Sequence, residues 1–248
     1  MTDTLQSLTA GYEVRDIFNA NEAGLFIKAQ PAKSLCFKGH SCQGGEKSKQ
    51  RITVLFCCNA DGSEKIKLTV VGRFQNPGRF NLAGCLPCIY KANKRLWMTG
   101  AIFQEFLVYL DHKMLCRNRK ILFFVHQCLA HLTQVELQNI KLVFLPANTT
   151  SHLQPPDAGI IRCVKHYFKN LLVRCLFAKI DRKDDDLKVS LLNSLHFVAM
   201  SWDHVTPSTV GNCFQKCGFL NPHAAVSQEL EEQGEPTTLS VDSWDTLG

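Results

Sequence analysis

Apolar positions along the chain recur in two rhythms, and each predicts a different element. Continuous or alternating runs mark strands: ITVLFCC (52–58), KIKLTVVGR (65–73), KILFFVHQC (120–128) and IKLVFLP (140–146). The first two are separated by NADGSE, whose Asp61-Gly62 step is a hairpin signal. The last two are the near-continuous type found in strands buried on both faces. IFNANEAGLFI (17–27) is β-prone around a polar break. Helical spacing appears in three places. Ile102, Phe103, Phe106, Leu107 and Leu110 predict a helix over about 100–115, capped by Thr99. Ile161, Val164, Phe168, Leu171, Leu172 and Cys175 predict a long helix from Asp157 to about Ala178, and Leu187, Leu191, Leu195 and Val198 another over about 187–201. A short helical segment is expected near 132–138, and 74–99 reads as irregular. A hairpin followed by β-α-β-α describes a mixed sheet with helices on its faces. The expected organisation is a loose start (1–12), an α/β core (13–180), a C-terminal helical extension (181–225) and an acidic tail (226–248) that is disordered by composition. No internal repeat is visible.

Charge changes the picture. The net charge is +6, but residues 228–248 hold Glu229, Glu231, Glu232, Glu235, Asp242 and Asp245 and no Lys or Arg. Removing those six charges leaves the preceding 227 residues at +12. A basic body suits a polyanionic partner, although ordinary surface charge gives the same count. No run of about 18 apolar residues exists, so no membrane span is expected. The opening MTDTLQSLTAGYEVRD has neither the basic nor the apolar region of a signal peptide, which leaves cytosol or nucleus as the expected compartment. The 12 cysteines are then expected as thiols. Cys85/Cys88 and Cys213/Cys217 have zinc-like local spacing, but a gap of ~125 residues between the pairs is far from that of a finger.

Several ordered segments resemble the DDE superfamily endonuclease domain of pogo/Tigger transposases and of their domesticated relatives, the Tigger-derived and centromere protein B families. Asn19-Ala20-Asn21-Glu22-Ala23-Gly24-Leu25-Phe26 resembles the family's N-A-D-E-[ST]-G-L-F. KSKQRITVLFCCNADGSEK (47–65) and YKANKRLWMTGAIFQEFL (90–107) resemble its basic loop and strand and its "ANxxxWMT" region. KILFFVHQCLAH (120–131) stands where the family has a strand ending in D-N-[CA]-[PS]-x-H, and IKLVFLPANTTSHLQPPDAGIIRCVK (140–165) resembles its most diagnostic stretch. The resemblance runs from about residue 11 to about 220 and implies an RNase H-like mixed sheet flanked by helices, with extra C-terminal helices. Full-length relatives carry helix-turn-helix units before this domain, and none is expected in these residues.

The resemblance also implies a site. In the family three carboxylates hold two divalent metals, Mg2+ or Mn2+, for phosphoryl transfer on DNA. Such hard cations prefer carboxylate oxygens, and a pair about 4 Å apart activates the attacking oxygen and stabilises the leaving one. Carried over by position, the triad falls on Asn21, His126 and Asp157, so only Asp157 keeps its charge and remains a metal candidate. Glu22 is adjacent to Asn21, but neighbouring side chains of a strand point to opposite faces. His126 offers nitrogen, better suited to zinc or copper. A zinc set of His126, Cys128 and His131 is disfavoured, since Cys128 and His131 match family positions that hold no such metal. Asn148, Thr149 and Thr150 are expected to shape a connector through side-chain to backbone bonds.

The reading is therefore a nuclear, transposase-derived protein with a degenerate DDE site, no cofactor and no small-molecule substrate. Its expected partner is DNA, held by backbone contacts from Lys47, Lys49, Arg51, Arg117, Arg119, Lys120, Arg162, Lys165 and Lys169. A homodimer or other nuclear proteins are possible partners. The competing readings are a protein-interaction scaffold without DNA contact, a residual metal-dependent nuclease, and a fragment with no selected role.

Overall fold

The computed structural model describes residues 2–27, 50–75, 77, 80, 85–127, 135–146, 153–184 and 188–220, with backbone alone for 2–4. Its centre is a six-stranded sheet built from β1 (Ile17–Phe26), β2 (Arg51–Asn59), β3 (Thr69–Gly72), β4 (Ile89–Ala92), β5 (Ile121–His126) and β6 (Ile140–Leu145). The order is β4-β3-β2-β1-β5-β6. β1, β2 and β3 pair antiparallel, while β5 and β6 continue parallel from β1. This is the RNase H-like arrangement, with β4 added parallel to β3. The helices are α1 (Thr2–Thr9), α2 (Gly100–Cys116), α3 (Ile161–Asp181), α4 (Leu191–Asp203) and α5 (Pro207–Lys216).

Alternation along the strands sorts side chains into two cores. Phe18 and Ala20 of β1 and Phe123 and Val125 of β5 face Phe103, Leu107 and Leu110 of α2. Ile17, Ala23 and Leu25 of β1 and Leu122 and Phe124 of β5 face the other way, onto Val164 and Phe168 of α3, Val198 and Trp202 of α4, and Val210 and Phe214 of α5. The architecture is three layers, α2 on one face and α3–α5 on the other. The 181–225 region is thus no appendage, because α4 and α5 supply one wall of the main core. Lys65 fastens that wall to the hairpin: its Nζ donates to the carbonyls of Trp202 (2.7 Å), Asp203 (2.9 Å) and Val205 (2.8 Å), capping the end of α4.

Three expectations are corrected. The loose start contains α1, anchored by buried Leu5. The irregular 74–99 stretch contains β4, an edge strand of four largely half-exposed residues with no apolar rhythm to betray it. Of the short helix expected at 132–138, residues 132–134 lie outside the described set and 135–138 are not helical. No helix among the described residues is long and apolar enough to cross a membrane.

Candidate functional site

Parallel register places two of the expected site residues side by side. β1 and β5 pair Ile17 with Leu122 and Asn19 with Phe124. The same offset carried two residues further sets Asn21 opposite His126, the last residue of β5. Both share the strand parity of Leu122, Phe124 and Ala23, so both face the α3 side of the sheet. Glu22 has the opposite parity, that of Phe18 and Ala20, so it cannot replace Asn21 as a ligand.

Asp157 reaches the same face through a backbone irregularity. Pro155 has helical dihedrals, Pro156 follows, and Pro156–Ile160 form a π-helical turn that breaks at Gly159 before α3 begins. A methyl group on Gly159 would lie 3.0 Å from Cys213 Sγ, so this turn is packed closely under α5. The turn presents Asp157 to β1, where Asn21 Nδ2 donates to Asp157 Oδ2 at 2.7 Å. Asn21 is 7% exposed, and its Oδ1 accepts from the Glu22 N–H at 2.9 Å. Both ends of the amide are therefore engaged.

Burial raises the Asp157 carboxyl above the ordinary carboxylate range. The Lys165 charge and the Asn21 hydrogen bond pull it back, and the Glu22 charge adds to the rise. Chemically the site is a single carboxylate holding an amide, beside an imidazole. That donor set does not match a pair of hard cations, which need several anionic oxygens. Among the described residues no three His, Cys, Asp or Glu are grouped to hold a metal ion. This includes the Cys85/Cys88 and Cys213/Cys217 pairs. Cys128, His131, Asn148, Thr149 and Thr150 lie outside the described residues.

The basic candidates fall into three groups. Arg162, Lys165 and Lys169 are all exposed at spacings of three and four, so they form one stripe along the solvent face of α3, starting beside Asp157. Arg51 lies at the start of β2, at the sheet end where β1 and β5 terminate. Arg117, Arg119 and Lys120 lie at the opposite end, just before β5. Two of these three are already engaged. Arg119 donates to Asp16 Oδ1 (2.6 and 2.8 Å), Glu64 Oε2 (2.8 Å) and the Arg15 carbonyl (2.8 Å). Arg117 and Lys113 share Glu64 Oε1 at 2.6 and 3.0 Å. Arg117 and Arg119 thus pair with carboxylates of their own chain, which offsets their charge. Lys120 is exposed. Lys47, Lys49 and the acidic tail are outside the described residues.

Sequence reasoning missed two buried amides. Asn19, two positions before Asn21 on the same face, and Gln154, three before Asp157, are both fully buried. Neither side chain finds a hydrogen-bond partner among the described residues. Each such amide costs about 1–3 kcal/mol unless a buried water answers it. The available signal was a polar residue at a core-parity position of β1.

A family model described as DDE superfamily endonuclease matches residues 49–214. Tigger transposable element-derived protein 4 of Mus musculus is 32% identical over 232 residues, spanning 94% of this chain and 43% of that protein. Major centromere autoantigen B of Homo sapiens is 34% identical over 236 residues, spanning 92% and 37%. The chain thus spans about two fifths of the length of these relatives. Among solved structures, the catalytic domain of Mos1 mariner transposase is similar at a TM-score of 0.43 and 12% identity, covering 87% of this chain and 89% of that one.

Proposed function

Because the chain belongs to the DDE superfamily endonuclease family, we propose that it is a nuclear, transposase-derived protein that holds DNA by its backbone and no longer cleaves it. One observation carries the reading: the surviving carboxylate, Asp157, accepts a hydrogen bond from Asn21 at the place where the family resemblance puts a second carboxylate. An amide supplies no negative charge, and an imidazole at His126 supplies none either, so a divalent pair loses most of its electrostatic hold. Mg2+ or Mn2+ belongs to the ancestral activity. The basic stripe of Arg162, Lys165 and Lys169, together with Arg51, supplies phosphate contacts. A relative named for the centromere supports a chromosomal setting.

The test has two arms. Purified protein with Mg2+ or Mn2+ should leave supercoiled DNA uncut; cutting abolished by Asp157→Ala overturns the loss of activity. Filter binding should show duplex affinity that falls steeply with salt as counterions compete. Absence of binding at low salt favours a second reading, a scaffold for protein partners or a second copy. That reading has its own support in Val173, Phe177 and Ile180, an apolar stripe exposed along the later half of α3.

A further inference from the structure

The two ends of the sheet differ in how their positive charge is managed. At the end before β5, Lys113, Arg117 and Arg119 are neutralised by Glu64 and Asp16. At the other end β1, β3, β4, β5 and β6 all terminate and β2 begins. There Arg51, Arg73, Lys94 and Arg95 make no ion pair among the described residues, whereas nearby Lys91 is paired with Glu105. Among the described residues of the strands that meet here, Glu22 is the one acid, so the balance at this end is positive.

The same end carries three exposed aromatic rings. Phe26 is 48% exposed, Phe74 58% and Trp97 67%. Phe26 stands directly across from Arg51. Phe74 has the Arg73 guanidinium 5.7 Å from its ring centroid. Trp97 is held on a fixed stem. Leu96 before it has φ +60, an unfavourable left-handed conformation for a branched residue. Its carbonyl accepts from Thr53 Oγ1 at 2.5 Å and Arg51 Nη2 at 3.4 Å. The Trp97 carbonyl accepts from Asn93 Nδ2 at 2.9 Å. The backbone is fixed on both sides while the indole faces solvent, so a ligand that covers it has no loop to order.

We propose that this end of the sheet is a binding surface for an unpaired DNA strand, with bases stacking on Trp97 and Phe74 and phosphates contacting Arg51, Arg73, Lys94 and Arg95. Unneutralised bases interleaved with exposed aromatic rings suit a polyanion that also presents flat apolar faces. A paired helix keeps its base faces covered, so it engages the bases of this surface and leaves the rings unused. Arg51 and Thr53 share the strand parity of Leu55 and Cys57, so this surface opens on the α2 side of the sheet, the face opposite Asn21 and Asp157. The proposal rests on the DNA-binding reading above and adds the strand class.

Fluorescence anisotropy at low salt decides it, using a labelled oligothymidine and a duplex of equal length. Trp97→Ala should weaken single-strand binding roughly 5- to 150-fold, the span for losing one stacked base. Duplex affinity should change by less than about twofold, because the duplex is held through phosphate. Trp97→Phe should retain much of the single-strand affinity, and oligothymidine should quench a tryptophan signal that Trp97→Ala lacks. Equal single-strand binding by wild type and Trp97→Ala, or equal weakening on both DNAs, overturns the proposal and leaves duplex binding standing. No binding to either DNA overturns both. Trp97 is exposed, so its replacement leaves the fold intact, and unchanged thermal unfolding checks this.

Discussion

Replacing Asn21 by Asp restores a carboxylate where the structure has an amide, and the consequence for stability can be worked out. The wild-type contact is a 2.7 Å hydrogen bond from Nδ2 to Asp157 Oδ2. A bond to a charged acceptor contributes about 1.5–3 kcal/mol, and Asn21→Asp removes it at neutral pH. Two carboxylates also come within about 3–4 Å, a repulsion near ~4 kcal/mol at an effective dielectric of 20. The Asp157 residue is solvent-exposed, so screening reduces this to roughly 1–2 kcal/mol. The expected loss is about 2.5–5 kcal/mol at pH 7.5, or roughly 5–20 °C in Tm for a chain of this size. Acid should reverse it. Asp157 already has a raised carboxyl, and the new neighbour raises one member of the pair further. A carboxyl whose folded pKa exceeds its unfolded value binds more protons folded than unfolded. Stability is therefore regained as pH falls through the folded value toward the unfolded ~3.9. Thermal unfolding followed by circular dichroism at pH 7.5 and pH 5 should show the gap between variant and wild type narrowing in acid. Millimolar Mn2+ should narrow it at pH 7.5. Asn21→Ala separates the terms: it loses only the hydrogen bond, about 1.5–3 kcal/mol, and because that bond favours the ionised carboxyl its deficit should also narrow in acid, but less than that of Asn21→Asp. Identical Tm values for wild type and Asn21→Asp at both pH values would refute the contact.

Two further outcomes follow from groups away from the site. Burial pushes the Glu64 carboxyl up, but hydrogen bonds from Lys113 and Arg119 and the charges of Lys113 and Arg117 more than reverse this and leave it lowered. Its contribution is present above the unfolded ~4.3 and lost as pH falls through the folded value, so Glu64→Gln should cost about 2 kcal/mol at pH 7 and flatten the acid limb of urea-unfolding curves. Among the described cysteines, Cys85 and Cys116 are exposed, whereas burial raises the thiols of Cys57, Cys58 and Cys88, the last to about 12. Alkylation at pH 8 read by peptide mass spectrometry should label the exposed pair first and the buried three only on unfolding; early labelling of Cys58 would contradict the packing of α5 on β2.

The strands with continuous apolar runs were legible because burial on both faces writes itself into composition. β2 and β5 needed no family knowledge, whereas β6 has the same apolar run yet is an edge strand with only Ile140 and Leu145 buried, so the expected burial on both of its faces is corrected. β1 was harder, since Asn19 and Asn21 interrupt its pattern; it forms because β2 and β5 complete its hydrogen bonds on both sides. β4 was illegible, being short and half-exposed. The pairing of Asn21 with Asp157 left no local signal, because 136 residues separate them, and only the resemblance linked the two positions. Nothing in the types of Arg117 and Arg119 reveals whether a basic side chain meets phosphate or its own Glu64. That depends on the turn after β2, which brings Glu64 to the end of α2.

The strand order sets a schedule for assembly. β1 leaves the ribosome before its partners and can pair first only with β2. Its other neighbour, β5, lies 105 residues later, and Asp157 and the α4–α5 wall come later still. Until then the hairpin carries an uncovered apolar face and an unpaired edge at β1, the kind of surface that chaperones and neighbouring chains capture. Contacts of such long sequence separation slow folding, and the candidate site forms only when the end of the domain docks on its beginning.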